Sequence, residues 1–251
     1  MTQPDVSAPE ILLHPDAGAV AEALAARLLA RLAEIQDAGR IPQLCLTGGR
    51  IATQAYARLA EEGGSSAVDW ARVELWWGDE RFVAGDDDDR NAGPVLDLLR
   101  PLGLTAERVH EMPAAGTGPD LDGAAEAYQR ELGDTRFDVC LLGLGPDGHV
   151  ASLFPEHPSS HADGQVIAIR NSPKPPPDRI SLTLEVINAS AEVWFLVSGD
   201  DKADATALAL QGAGPVQVPG AGAHGRHRTL WLLDRAAAAE LPPDLAQRGR
   251  F

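Results

Sequence analysis

Two residues in one short loop could move a proton: Asp147 and His149, in the run Gly143-Leu144-Gly145-Pro146-Asp147-Gly148-His149. A neutral imidazole working near its own titration range can take a proton from water, and a neighbouring carboxylate can fix the ring tautomer and stabilise the charged form. Their i, i+2 spacing leaves open whether the two side chains meet. A second group of residues could hold an anion. Gly48 and Gly49 lie between a short apolar run and a helical pattern, so their backbone N–H groups can approach a phosphate closely at the positive end of that helix. The chain has 19 Arg and only two Lys, Lys174 and Lys202, and guanidinium groups suit bidentate phosphate contacts. Arg50, Arg81, Arg179 and Lys202 stand in or beside the same set of loops. For each, a solvated charge or an ion pair is the alternative: Arg81 has Asp79 and Glu80 beside it.

Other chemistries lack their signatures. Gly143 to Gly148 matches GxGxxG after a strand, but that fingerprint needs a long helix beginning in the glycines, and Pro155 and Pro158 cut the following segment short. No GxxxxGK[ST] and no GxSxG occurs, which leaves Ser152 outside any nucleophile pattern. His157 and His161, like His224 and His227, have suggestive spacing but no Cys or ExxH context for a metal. Cys45 and Cys140 each sit in an apolar run (QLCL, DVCLL) and are expected to be small buried hydrophobes in a reducing compartment.

The elements that must position these residues alternate in period. Asp16 is placed to cap a helix with Val20, Leu24, Leu28, Leu32 and Ile35 on one face and Gly39 at its end. Strands are expected at Gln43 to Leu46, Val73 to Trp77, Phe137 to Leu142, Ile180 to Leu184, Val193 to Val197 and Thr229 to Leu233. Helices are expected at Ile51 to Glu62, around Val95 to Leu99, at Asp120 to Leu132 and at Lys202 to Leu210. Asp86 to Asp89 are expected to complement the positive end of the helix they precede, and the glycine-rich GAGPVQVPGAGAHGRH to form a surface loop. Near-continuous apolar strands imply a parallel sheet covered on both faces. TGGR, GDER, GLGPDGH and SGDDK each follow such a strand, and the loops at the carboxyl edge of an open parallel sheet are where these folds bind ligands.

The chain has 251 residues, 44% hydrophobic and 23% charged, with a net charge of −16. The length fits one α/β domain over residues 1–251 with a small additional strand and loop region. The acidity opposes binding to nucleic acid or an anionic membrane surface. The long N-terminal helix carries Glu22, Arg27, Arg31 and Glu34, so it is not a membrane span. No address segment is visible, and the cytoplasm is the expected compartment. The oligomeric state stays open, with the balance slightly toward a monomer.

Together and in this order, LTGGR, WWGDERFV, DDRNAG, FDVCLLGLGPDGHVASLFP, PPDRISLT and GDDKA resemble the 6-phosphogluconolactonase family, from the first helix to the last strand. The resemblance implies a modified Rossmann-like α/β fold. It also implies hydrolysis of 6-phospho-D-glucono-1,5-lactone, a small phosphorylated sugar lactone, to 6-phospho-D-gluconate in the oxidative pentose phosphate pathway, with no metal or organic cofactor. Carried over by position, His149 is the general base, with Asp147 in the same loop. Gly48, Gly49, Arg50, Asp79, Arg81, Asn91, Arg179 and Lys202 are the substrate and phosphate contacts. Two departures stand out. Where many members read GGSTP, this chain has Gly48-Gly49-Arg50-Ile51-Ala52, so a hydroxyl donor is missing or replaced by Arg50. A frequent Ser-Asn is here Arg90-Asn91.

A six-membered lactone is a reactive ester, so one base acting on water plus donors for the developing oxyanion suffices. The rivals are a sugar-phosphate deaminase or isomerase on the same fold and a non-catalytic sugar-phosphate sensor. Deaminases of this group carry a glutamate in a segment like AFNEP, where this chain has Ala151-Ser152-Leu153-Phe154-Pro155 and Glu156 out of register. A sensor that regulates transcription would need a DNA-binding segment, and none precedes the first strand.

Overall fold

The computed structural model describes residues 8–116 and 118–248; residues 1–7, Thr117 and 249–251 lie outside the described residues. Strand β1 is Glu10–His14. The Asp16 carboxylate then accepts from the Ala19 N–H at 2.9 Å and starts α1, Ala17–Asp37. Val20, Leu24, Leu28, Leu32 and Ile35 are all buried, as their spacing predicts, and each such leucine contributes roughly 1.5–3 kcal/mol. There follow β2 (Gln43–Leu46), α2 (Arg50–Gly63), β3 (Glu74–Trp77), β4 (Asp79–Arg81), α3 (Ala92–Leu99) and β5 (Val109–His110). Then come α4 (Leu121–Leu132), β6 (Val139–Gly143), β7 (Val166–Ile169), β8 (Arg179–Leu182) and α5 (Leu184–Asn188). The chain continues through β9 (Glu192–Val197), α6 (Ala203–Leu210), α7 (Pro219–Gly222), β10 (Arg228–Asp234) and α8 (Pro243–Arg248).

Seven strands form one sheet in the order β1-β10-β9-β6-β2-β3-β5, and every neighbouring pair is parallel. From β2 the chain winds outward through β3 to β5; from β6 it winds the other way through β9 and β10. The reversal therefore falls between β2 and β6, where a doubly wound sheet opens a crevice at its carboxyl edge. Along each strand side chains alternate between two apolar faces. Leu44, Leu46, Leu75 and Trp77 join the core formed with α1, α2 and α3. Cys45, Cys140, Phe195 and Trp231 join the core formed with α4 and α6. Cys45 and Cys140 are register partners on β2 and β6, buried and not bridged.

The structure departs from the sequence reading in three respects. GDER is not a loop: Asp79–Arg81 pairs antiparallel with β8, and β4-β8-β7 make a second, three-stranded sheet. Three charged residues carry no apolar alternation, so nothing local marks them as a strand. The short elements β1, β7 and α5 also escape the periodic reading. Finally, residues 212–227 are not a plain surface loop: they contain α7, and Val218, Pro219, Gly220 and Ala223 are buried.

Two buried tyrosines finish the strands that lead to the crevice. The Tyr56 hydroxyl accepts from Thr47 N–H and donates to Thr47 C=O, both at 3.0 Å. Tyr128 treats Trp77 likewise, at 3.0 and 3.1 Å. Each phenol supplies both partners of a peptide group that has left the ladder, a group costly to bury unpaired. Burial pushes both phenols well above their usual range. Tyr56→Phe leaves the Thr47 N–H and C=O unpaired, so urea unfolding is expected to show a loss of about 2 kcal/mol; a change within error would show that the hydroxyl is dispensable.

Candidate active site

The carboxyl edge at the β2/β6 reversal holds a cleft of about 520 Å³. Gly48, Gly49, Arg50, Asp79, Arg81, Asn91, His149, Arg179 and Lys202 all line it. Asp147 reaches it through His149. Gly48, Gly49, Arg50, Asn91, His149 and Lys202 come from loops and helix starts, whereas Asp79 and Arg81 on β4 and Arg179 on β8 come from the second sheet.

Two strand-to-helix loops enter the cleft with the same backbone shape. Gly49 (φ 107, ψ 160) precedes α2, and Gly199 (φ 105, ψ 150) precedes a 3-10 turn, Asp200–Lys202, that runs into α6. Positive φ makes glycine the residue of choice at both. No side chain caps α2, so its first N–H groups remain for a ligand and its dipole favours negative charge there. Asp234, ending β10, holds the second loop by accepting from Ser198 Oγ at 2.6 Å and Gly199 N–H at 3.2 Å. Lys202 Nζ lies 3.1 Å from Asp201.

Gly48 is small for a different reason. A methyl group there would lie 2.0 Å from Asn91 Oδ1. That oxygen accepts from Arg81 Nη1 at 2.9 Å, and Asn91 Nδ2 donates to Asp79 C=O at 3.0 Å. The Arg81 Nε is buried without a partner among the described residues. Beneath them lies Glu80, whose carboxylate accepts from the N–H groups of Arg81, Asn91 and Ala92 at 2.8, 2.7 and 2.9 Å. Glu80 thus serves the start of α3, the task expected of Asp86 to Asp89; those residues instead fold on themselves, Asp87 accepting from Asp89 N–H at 2.9 Å. Burial pushes the Glu80 carboxyl up, against the pull of those N–H groups and of Arg90. Arg90, in the place of the frequent serine, is buried 3.8 Å from Glu80 and donates to Met112 C=O at 2.7 Å. It is a support for the loop and does not line the cleft.

In the β6 loop, Gly148 N–H donates to Gly145 C=O and Gly145 N–H to His149 C=O, both at 2.9 Å. This tight turn starts no helix, so the GxGxxG match has no dinucleotide geometry. It does bring the two side chains together: His149 Nδ1 lies 2.5 Å from Asp147 Oδ1. Lys174 Nζ stands 3.2 Å from the same oxygen and 3.1 Å from His149 Nδ1. Burial works against the Asp147 charge, but the hydrogen bond and charge of His149 and the charge of Lys174 overcome it and hold the carboxyl well below the usual range. With Nδ1 engaged, Nε2 is the nitrogen left to the cleft. Phe154 packs against the ring, centroids 4.8 Å apart.

The segment 212–227 braces this turn. Gly148 (φ +84) has no room for a side chain, since a methyl would meet Val218 at 2.7 Å, and Gly220 N–H donates to Gly148 C=O at 2.9 Å.

Arg179 is largely committed within the protein. Its Nε donates to Pro176 C=O and its Nη2 to the carbonyls of Lys174 and Pro175, at 3.0–3.1 Å. Nη1 reaches Ser152 Oγ at 3.4 Å, and Ser152 donates to Asp79 Oδ2 at 2.6 Å. Of its five N–H donors, one on Nη1 is left to turn to the cleft. Ser152 is buried, a tether for Asp79 and no nucleophile.

Lys174, Glu80 and Asp234 escaped the sequence reading. Glu80 and Asp234 give no local sign because the partners that tie them to cleft loops, Asn91 and Ala92 for Glu80 and Ser198 and Gly199 for Asp234, are brought close by folding. Lys174 had one sign, its rarity in an arginine-rich chain.

The chain matches the family model described as glucosamine-6-phosphate isomerases/6-phosphogluconolactonase over residues 15–231. It is 48% identical to the 6-phosphogluconolactonase of Streptomyces coelicolor, covering 94% of this chain and 96% of that one. It is 45% identical to the 6-phosphogluconolactonase of Mycobacterium tuberculosis, covering 92% and 98%. Among solved structures, 6-phosphogluconolactonase from Thermotoga maritima superposes with a TM-score of 0.80 at 27% identity, covering 90% of this chain and 99% of that one. A monomeric glucosamine-6-phosphate deaminase, 19% identical with a TM-score of 0.77 over 92% of this chain and 99% of its own, shares the fold.

The contact between Gly48 and Asn91 can be tested by a double-mutant cycle in urea. Gly48→Ala is expected to cost about 1–3 kcal/mol, and much less when Asn91→Ala has removed the obstructing amide. Equal costs in both backgrounds would show that the glycine serves some other purpose.

Proposed function

The chain belongs to the glucosamine-6-phosphate isomerase/6-phosphogluconolactonase family, and from that premise we propose how its cleft does its chemistry. The activity is the hydrolysis of 6-phospho-D-glucono-1,5-lactone to 6-phospho-D-gluconate, a step of sugar-phosphate metabolism. The observation that carries the mechanism is the Asp147–His149 pair, 2.5 Å apart, with His149 on the wall of a cleft that also holds an uncapped helix start.

The substrate phosphate sits where the Gly48-Gly49 backbone and the first turn of α2 meet Arg50 and Lys202. Arg50 supplies by charge what a loop hydroxyl supplies in many relatives. The Asn91–Arg81 unit and Asp79 face the sugar hydroxyls. Binding at this remote phosphate orients C1 against the water held by His149. His149 Nε2 removes a proton from that water as its oxygen attacks C1. Asp147 steadies the imidazolium that forms. The tetrahedral intermediate then collapses with cleavage of the C1–ring oxygen bond; the ring oxygen takes its proton from the imidazolium, which restores the neutral base, or from solvent, in which case the imidazolium gives its own proton to solvent. No covalent enzyme intermediate is needed. We place the reaction in the cytoplasm, with a monomer as the working unit; among the described residues no helix is long and apolar enough to cross a membrane.

The base and the anchor separate kinetically. His149→Asn is expected to lower kcat by about 100-fold or more with little change in KM. Lys202→Ala is expected to raise KM about tenfold or more, the loss of a hydrogen bond to a charged group, and to spare kcat. Normal turnover in His149→Asn would remove His149 as the base, and an unchanged KM in Lys202→Ala would take Lys202 out of the phosphate site.

A further inference from the structure

We propose that Lys174 is a positioning residue for the hydrolysis: it shares the Asp147 carboxylate with His149 and so keeps His149 available as a neutral base. The proposal rests on the lactonase reading above.

The geometry places three titratable groups in one knot. Asp147 Oδ1 receives both His149 Nδ1–H, at 2.5 Å, and the Lys174 ammonium, at 3.2 Å. The ammonium is also 3.1 Å from Nδ1 itself. In the tautomer that gives Nδ1–H to Asp147 both of those nitrogens are donors, and the carboxylate is what holds them together. A carboxylate alone beside an imidazole favours the imidazolium and would hold the proton that a general base has to release. An ammonium on the same oxygen cancels most of that pull while leaving the hydrogen bond that sets the tautomer. The result is a ring fixed in orientation by Asp147 but not locked in its charged form.

Among the described residues, Lys174 is the only Lys or Arg whose side chain bonds to Asp147 or His149. Arg179 lies over the Phe154 ring, 5.7 Å from its centroid, and its hydrogen bonds go to the carbonyls of Lys174, Pro175 and Pro176 and to Ser152, which holds Asp79. Lys202 is paired with Asp201 in the β9 loop. The titratable side chains of the bracing segment 212–227 are His224, Arg226 and His227, whose main chains bond to Asn188, Ser190 and Ala191 just before β9 begins, at the end of that strand away from the cleft. The main chain of Lys174, by contrast, is fixed: Arg179 Nη2 and Ser172 Oγ both donate to its carbonyl, at 3.1 and 2.9 Å. Arg179 therefore sets where the ammonium can reach. The Lys174 side chain is itself 39% exposed, so replacing it disturbs no core.

The test follows the charge state of His149 directly. In substrate-free protein, the His149 ring resonances, assigned by their loss in His149→Asn, are followed against pH by NMR in the wild type, Lys174→Met and Lys174→Arg. The acid limb of kcat against pH is recorded for the same proteins. Without the ammonium both midpoints are expected to move to higher pH by about one unit, while Lys174→Arg stays close to the wild type. A midpoint that stays put in Lys174→Met, with kcat reduced equally at every pH, would overturn the proposal, and so would a Lys174→Arg profile displaced as far as that of Lys174→Met. Failure of the wild type to hydrolyse the lactone would refute the functional reading instead, while the ring titration would still decide the role of Lys174.

Discussion

A parallel sheet buried on both faces must send every strand in one direction, and that constraint carries the rest of this structure. Its strands end together at one edge, its crossovers must be helices, and the outward winding from β2 and from β6 leaves a gap at the point of reversal. The catalytic loop and the glycine loop are the two connections that border this gap. Nothing about His149 or Gly49 alone creates a site; the placement of β2 beside β6 does.

The second constraint is electrostatic. A chain with net charge −16 repels a phosphorylated substrate at long range, so affinity has to come from short-range donors in the cleft. The fold meets this with helix starts that carry no side-chain cap, with Arg50, Arg81 and Lys202 around them, and with acidic groups turned to backbone N–H groups. Glu80 and Asp234 show the last device. Each is a buried carboxylate whose charge is absorbed by hydrogen-bond donors, main-chain N–H groups at Glu80 and main-chain N–H groups with the Ser198 hydroxyl at Asp234, so it shapes a cleft loop without adding a free negative charge to the site.

Much of this was legible in the sequence. The long helix, the central strands and the edge on which the functional loops gather follow from period and from apolar runs, because those features are local. The Asp147–His149 loop is legible as chemistry, although only the tight turn closed by Gly148 shows that the side chains meet. What was hidden is whatever depends on a distant partner. β4 is three charged residues that become a strand only because β8 lies beside them. The segment 212–227 looks like a loop because glycine and proline dominate it, yet those glycines exist so that two backbones can touch at Gly148 and Gly220. Lys174 belongs to the site through Asp147, 27 residues earlier in the chain, and spacing of that kind has no periodic signature.

The central claim is that the substrate lies across the β2/β6 gap with its carbonyl end at His149 and its phosphate at the start of α2. A crystal structure with 6-phospho-D-gluconate bound tests it most directly. The account predicts a C1 carboxylate oxygen about 3 Å from His149 Nε2 and phosphate oxygens on the Gly49–Arg50 backbone and Lys202. A ligand bound the other way round, with its phosphate at His149, or a carboxylate out of reach of that nitrogen, would contradict it.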